Sequence, residues 1–137
     1  MLTVDANVWV AALDESDPVH AESVRFLEAA RDRSLVLHGP ALLLVETACA
    51  LARRSENADV ALAAAATMRR LPGLRLEPHD RELEIGALEL GTRLLLRGAD
   101  SYYVAVAARQ GTPLITWDRE LLDRAGGVSP ARWLEKE

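Results

Sequence analysis

The chain has 137 residues, half of them hydrophobic, with a formal net charge of −5 and an isoelectric point near 5.2. This length and composition fit one folded domain spanning 1–137 and exclude a disordered chain. The acidic balance does not suggest a broad basic face for nucleic acid, although it is compatible with acids gathered in one pocket.

The hydrophobic pattern predicts strands and helices in alternation. Short apolar or alternating runs predict strands at 2–5, 35–37, 74–76 and 114–117, and an edge strand near Val128. Longer periodic segments predict helices at 6–13, 18–33, 40–54, 58–71, 81–96, 100–110 and 119–124, the third of them opened by Gly39-Pro40. Strands separated by helices are typical of a parallel sheet with helices on both faces. We therefore expect an α/β domain with four or five strands.

Cys49 is the single cysteine, so an intramolecular disulfide is excluded and a reducing compartment is indicated. Its place in an apolar helix predicts a small core residue. The chain shows neither a signal-peptide pattern nor an apolar run of membrane-spanning length, so we expect a cytoplasmic protein with no membrane partner.

Four acids stand out by their positions. Asp5 and Asp118 each follow a predicted strand, and Asp100 opens a predicted helix. Each of these three also has an ordinary explanation as a helix cap or Asx-turn. Glu46 interrupts a nearly all-apolar helix that we expect to be buried, and the alternative is a narrow solvent-facing edge shared with Thr47.

Clustered acids without basic partners in their motifs repel one another unless a cation lies among them. Oxygen ligands alone suit Mg²⁺ or Mn²⁺ rather than zinc. His20, His38 and His79 lack metal-ligand spacing and are expected in loops or in solvent. The four acids therefore predict a divalent metal site of the kind used in phosphate chemistry.

The motifs around these acids resemble those of the PIN domain family. Segment 1–9 (MLTVDANVW) is similar to the family's opening motif, a hydrophobic strand ending in Asp-x-Asn or Asp-x-Ser. A glutamate in an apolar helix follows at 44–47 (LVET), then 98–107 (GADSYYVAVA) and 113–118 (PLITWD). The resemblance covers essentially the whole chain and implies a PIN-like three-layer α/β/α fold. Size and motif order are similar to the VapC toxins of type II toxin–antitoxin pairs. Ser101 departs from the common pattern, in which a small apolar residue follows the third acid.

The resemblance implies an Mg²⁺- or Mn²⁺-dependent endoribonuclease that cleaves RNA with metal-activated water, leaving a 5′-phosphate and a 3′-hydroxyl. It assigns metal binding and catalysis to Asp5, Glu46, Asp100 and Asp118. Asn7 and Thr116 are then expected to hold the carboxylates or the scissile phosphate. Of the remaining acids, Glu120 and Asp123 are ambiguous, with solvated helix acids the favoured interpretation.

The resemblance also implies partners. A VapB-like antitoxin and a homodimer are expected, and the outer faces of helices 40–54 and 58–71 are candidate surfaces for both. RNA contacts are expected from rim arginines such as Arg81, Arg97 and Arg119. The RNA target and the number of metal ions stay open.

Other functions fit the sequence less well. A haloacid dehalogenase-type phosphotransferase needs a second Asp where Asn7 stands, and a supporting lysine, whereas Lys136 is the only lysine. The same lysine argument counts against a receiver domain, and no P-loop or dinucleotide-binding glycine motif is present. The alternative from another class is a non-catalytic PIN-like module that binds RNA or protein. Such a module would be expected to have lost an acid, and this chain retains all four.

Overall fold

The computed structural model of the protein describes residues 1–136, so Glu137 of the predicted domain 1–137 lies outside the described residues. The strands are β1 (Leu2–Val4), β2 (Leu37–Pro40), β3 (Leu74–Glu77) and β4 (Leu114–Ile115). The helices are α1 (Ala6–Leu13), α2 (His20–Asp32), α3 (Leu43–Ser55), α4 (Ala58–Arg69), α5 (Arg81–Leu94), α6 (Gly98–Gln110), α7 (Arg119–Arg124) and α8 (Pro130–Lys136).

The four strands form one parallel sheet in the order β3-β2-β1-β4, as the alternation of strands and helices predicts. Val128 adds an isolated parallel bridge to Ile115, so the expected fifth strand is reduced to one residue pair. Because all strands run the same way, their carboxyl ends share one edge of the sheet. Segments that follow β1 and β4, which are neighbours, are thereby brought side by side.

Helices cover the sheet and bury its apolar strands. Helix α6 packs directly on β1, β2 and β4, and α5 packs along α6. Helix α1 contacts both α2 and α3, and α4 packs on α3 as a helical hairpin. Tyr103, Phe26 and Leu43 are the bulkiest of the fully buried side chains. The α/β/α architecture expected from the sequence is confirmed.

The predicted boundary between the second strand and the third helix was wrong. Strand β2 runs to Pro40, and α3 begins only at Leu43, so Gly39-Pro40 belongs to the strand rather than to the helix. The pairing with β3 does not need an amide at Pro40, because Leu37 and Ala41 donate on either side of it, to the carbonyls of Gly73 at 2.8 Å and Glu77 at 2.7 Å. The short helix α8 was not predicted; its Trp133 packs edge-on against Phe26 with ring centroids 5.1 Å apart.

Two burial predictions were also wrong. Helix α3 is not buried all round, since Val45 is 64% exposed and Cys49, expected in the core, is exposed. His38, expected in solvent or a loop, is buried in β2, where burial lowers its pKa. Within residues 1–136, every helix is too short or too polar to cross a lipid bilayer.

Candidate active site

The site is organised by the neighbouring carboxyl ends of β1 and β4. Val4 pairs with Ile115, and the Asp5 amide donates to the Ile115 carbonyl at 2.9 Å. Asp5 and Thr116 therefore leave the sheet side by side. Both side chains are buried, Asp5 at 5% exposed and Thr116 at 0%. In open parallel sheets this edge is where ligands bind.

Thr116 holds the Asp5 carboxylate in place. Its hydroxyl donates to Asp5 Oδ2 at 2.8 Å, and the Asn7 side-chain amide donates to the same oxygen at 3.2 Å and to Thr116 Oγ1 at 3.1 Å. Asn7 Oδ1 accepts from the Trp117 amide at 3.1 Å, which ties α1 to the segment after β4. Asp5 precedes α1 but makes no side-chain capping hydrogen bond there. The structure therefore does not support the alternative in which the Asp5 side chain serves as the cap of α1.

Asp118 is a helix cap and also faces the other acids. Its Oδ1 accepts from the amides of Glu120 and Leu121 at the start of α7, at 2.8 and 3.4 Å. Its own amide donates to Thr116 Oγ1 at 2.9 Å. The second oxygen, Oδ2, remains directed to the Arg97 guanidinium, 4.0 Å away. Capping thus fixes Asp118 while leaving one oxygen for the site.

Asp100 lies within the first turn of α6 rather than at its cap, because the helix begins at Gly98 and Arg97 occupies the N-cap position. The neighbouring Ser101 is buried against Gly91 of α5, where a β-carbon would overlap the Ser101 side chain. Ser101 also donates to the Arg97 carbonyl at 2.9 Å. The close contact of Gly91 and Ser101 sets the position of the first turn of α6, and with it Asp100.

Glu46 is half-buried and joins the cluster through a partner that the sequence analysis missed. The Tyr103 hydroxyl donates to Glu46 Oε1 at 2.6 Å. Burial, and next the bonded Glu46 carboxylate, hold the pKa of Tyr103 above its usual value, so this hydroxyl stays a donor. One signal could have found it: Tyr103 is a tyrosine inside a helix of small residues, and a buried tyrosine hydroxyl normally needs a partner.

The acids influence one another electrostatically. Burial raises the pKa of Asp5 from 3.8 to about 7, with Asp100 and Glu46 adding to the rise and the Thr116 hydroxyl opposing it. Burial likewise raises the pKa of Asp100, and the charges of Asp118, Glu46 and Glu120 add to it. The fold thus brings the four predicted acids, and Glu120 with them, close enough for their negative charges to act on one another.

Arg97 is a basic neighbour of this cluster, contrary to the expectation of acids without one. Its guanidinium lies 3.7 Å from Asp100, 4.0 Å from Asp118 and 3.6 Å from Glu120. The i,i+3 spacing of Arg97 and Asp100 on one helix was the sequence signal for the contact. Three other residues that the sequence offers for the site or for RNA contacts are exposed: Asp123, Arg81 and Arg119.

The donor set suits a hard divalent cation, because it consists of carboxylate and hydroxyl oxygens. Burial raises the pKa of Asp5, and the negative charges of Asp100 and Glu46 add to the rise. The Arg97 guanidinium, 3.7 Å from Asp100, shows that a cation is accommodated beside the cluster. Over residues 1–136, however, no three acidic, histidine or cysteine side chains are already set at metal-binding positions. The residues fit Mg²⁺ or Mn²⁺ in chemistry, and the metal site itself stays a prediction.

Comparison with known proteins agrees with this arrangement. The sequence model of the PIN domain family matches residues 2–127. VapC20 of Mycobacterium tuberculosis, described as a toxin that cleaves the sarcin–ricin loop, is 26% identical and superposes with a TM-score of 0.80 over 93% of this chain and 97% of its own. No curated protein gives a match.

Two more distant structures share the fold. A toxin–antitoxin complex from Klebsiella pneumoniae is 17% identical, with a TM-score of 0.70 over 95% of this chain and 98% of its own. VapBC2 of Rickettsia felis, solved with a DNA fragment from its promoter, is 14% identical, with a TM-score of 0.70 over 93% and 96%. At these identities the likeness concerns the fold alone.

Proposed function

The chain belongs to the PIN domain family, and on that premise we propose that it is a divalent-metal-dependent endoribonuclease, the toxin of a VapBC-type toxin–antitoxin pair. The observation that carries the proposal is the gathering of Asp5, Glu46, Asp100 and Asp118 at one edge of the sheet, close enough to shift the pKa of Asp5 and of Asp100. The similarity to VapC20 supports RNA as the substrate.

We propose Asp5, Glu46, Asp100 and Asp118 as the residues that hold Mg²⁺ or Mn²⁺. When bound, such an ion supplies a more acidic water as nucleophile and stabilises the charge that develops on the phosphate. The protein's own contribution is to orient the carboxylates. Thr116 and Asn7 do this for Asp5 through the bonds to its Oδ2, and the Thr116 hydroxyl opposes the burial that raises the pKa of Asp5.

The opposite side of the site is oriented by Tyr103 and by helix α7. Tyr103 fixes one oxygen of Glu46, and the first amides of α7 fix one oxygen of Asp118. In each case the other carboxylate oxygen is left for a ligand. Such preset oxygens lower the cost of ordering the site when substrate arrives.

We further propose that residues 1–137 form a single PIN-like domain that acts in the cytoplasm. We propose two protein partners for it, an antitoxin and a second copy of this chain. Support comes from apolar side chains exposed on the outer helices: Val60 and Leu62 on α4 are 53% and 64% exposed, and Leu88 on α5 is 59% exposed. Exposed apolar groups of this kind often mark interaction surfaces. The toxin–antitoxin complexes among the structures of the same fold support the antitoxin.

A non-catalytic module that binds RNA or protein is the alternative function, and the retention of all four acids disfavours it. The toxin hypothesis is tested by the adjacent reading frame. Induction of this chain alone is expected to arrest growth. If a short neighbouring gene encodes the antitoxin, its product will co-purify with this chain and relieve that arrest when the two are expressed together. Growth arrest that the neighbour's product does not relieve would contradict the toxin–antitoxin pairing.

A further inference from the structure

Arg97 lies where the chain turns from α5 into α6, and its guanidinium is shared among three acids. Nε lies 3.7 Å from Asp100 Oδ2, while Nη2 lies 4.0 Å from Asp118 Oδ2 and 3.6 Å from Glu120 Oε2. All three separations exceed the usual length of an N–H···O hydrogen bond, so these are ion pairs without fixed hydrogen-bond geometry. The guanidinium is held by charge rather than by directional bonds.

The backbone that carries Arg97 is firmly placed. Leu95 ends α5 with a φ of 58°, a left-handed conformation that is unfavourable for leucine. Its carbonyl accepts from Arg124 Nη1 at 2.6 Å, and the same nitrogen of Arg124 lies 2.9 Å from Glu120 Oε1. Arg124 therefore connects the turn before Arg97 to the acid that Arg97 faces.

The Arg97 side chain is 75% exposed, so little packing restrains it, whereas the three acids are 19% to 26% exposed. An exposed ion pair of this kind is weak and is easily exchanged. The guanidinium carries the positive charge nearest to the Asp100 and Asp118 oxygens that the proposed function assigns to a metal ion. A divalent cation bound to those oxygens would repel it at close range.

We propose that Arg97 is an internal counter-cation that a divalent ion displaces from Asp100 and Asp118, and that it thereby sets the metal affinity of the site. The inference rests on the proposed function, because it takes these acids as metal-binding residues. In the metal-free protein Arg97 partly neutralises the acids, and metal binding includes the work of moving it away.

Divalent-ion affinity measured without RNA tests this proposal. Mn²⁺ binding to wild type, Arg97→Gln and Arg97→Lys would be followed by calorimetry and by the electron paramagnetic resonance signal of free Mn²⁺. Arg93→Gln is the matched control, because Arg93 is an exposed arginine in the last turn of α5 and its substitution removes the same charge. Circular dichroism would check that each variant is folded.

We expect Arg97→Gln to bind Mn²⁺ about tenfold more tightly than wild type, with Arg97→Lys close to wild type and Arg93→Gln within about twofold of it. Equal affinity in Arg97→Gln and Arg93→Gln, or weaker binding in Arg97→Gln, would overturn the role of Arg97 while leaving a metal-dependent nuclease intact. Absence of Mn²⁺ binding in every variant would overturn the proposed function as well.

Discussion

The Tyr103 hydroxyl donates a 2.6 Å hydrogen bond to Glu46 Oε1, which joins α6 to α3 across the candidate site. Tyr103 is fully buried, so its ring is fixed by the core and its hydroxyl is delivered to one place. Glu46 is consequently held in one orientation by a residue that lies three positions after Asp100. The two acids are thus positioned by the same helix.

Replacing Tyr103 by phenylalanine removes this bond and keeps the ring. We expect the free energy of unfolding to fall by about 1 kcal/mol. We also expect the rate of RNA cleavage to fall about tenfold, because Glu46 loses its fixed orientation. Tyr102→Phe is the matched control, since Tyr102 is half-buried on the same helix and stacks on His79. Urea unfolding and initial cleavage rates measure both effects. Equal activity of the two variants would contradict a positioning role for Tyr103.

The raised pKa of Asp5 predicts a pH-dependent stability of the metal-free protein. A carboxyl with a higher pKa in the folded state than in the unfolded state binds more protons when folded, so its contribution is present at low pH and is lost as the pH rises from about 4 through 7. The rise of the Asp5 pKa from 3.8 to about 7 corresponds to a change of at most about 4 kcal/mol in the free energy of unfolding across this pH range. Asp5→Asn removes this dependence.

The measurement is urea unfolding in the presence of a chelator, from pH 5 to pH 8, for wild type and Asp5→Asn. Burial lowers the pKa of His38, so the His38 contribution runs in the opposite direction, but it is common to both proteins. The stability of Asp5→Asn relative to wild type should therefore increase with pH. A constant difference across this range would contradict the raised pKa of Asp5. Adding Mn²⁺ at pH 8 should stabilise wild type more than the variant.

The contact between Gly91 and Ser101 predicts that Gly91→Ala separates α5 from α6. The new methyl group would lie 2.8 Å from Ser101 Cβ, so the helices must move apart and Asp100 moves with them. We expect a loss of about 1–3 kcal/mol in unfolding free energy together with reduced cleavage. Gly86→Ala on the same helix is the control, because its nearest neighbour would be Ala105 Cβ at an ordinary 3.6 Å. That variant should be neutral or about 1 kcal/mol more stable. Similar effects of both substitutions would contradict the argument.

The exposed apolar side chains predict self-association. Light scattering after size exclusion should give a mass near twice the 15.0 kDa of one chain. Leu62→Asp on α4 and Leu88→Asp on α5 each place a charge on one of the two exposed faces. We expect one of them to yield the monomer and so to identify the interface. A dimer that survives both substitutions would show that neither face forms it.

Much of the fold and the position of the acids follow from local sequence signals. Asp5 and Asp118 could be placed together because each follows a strand of a parallel sheet, and the shared carboxyl edge brings such residues to one place. Asp100 and Glu46 were identified from their motifs and from an acid in an apolar helix. Their roles in metal binding and catalysis remain predictions.

The remaining features depend on how helices dock, which local patterns do not encode. The Tyr103–Glu46 bond requires α6 to pack against α3, and the place of Arg97 requires the left-handed Leu95 before it. An apolar helix predicts burial on every side, whereas α3 turns one apolar face outward and so exposes Cys49. Gly39-Pro40 predicts a helix start from local sequence, whereas the place of Pro40 at the end of β2 depends on its pairing with Glu77 of β3.

The most direct test of the central claim is RNA cleavage by wild type and by Asp5→Asn, purified in parallel, with Mg²⁺ or Mn²⁺ and with a chelator. The RNA ends are then sequenced. We predict that wild type with metal produces defined fragments carrying 5′-phosphates. Wild type with chelator should produce none, and neither should Asp5→Asn with metal, once circular dichroism has shown that the variant is folded. RNA that wild type binds but leaves uncut across varied substrates, or equal cleavage by Asp5→Asn, would contradict the claim that these acids form a ribonuclease site.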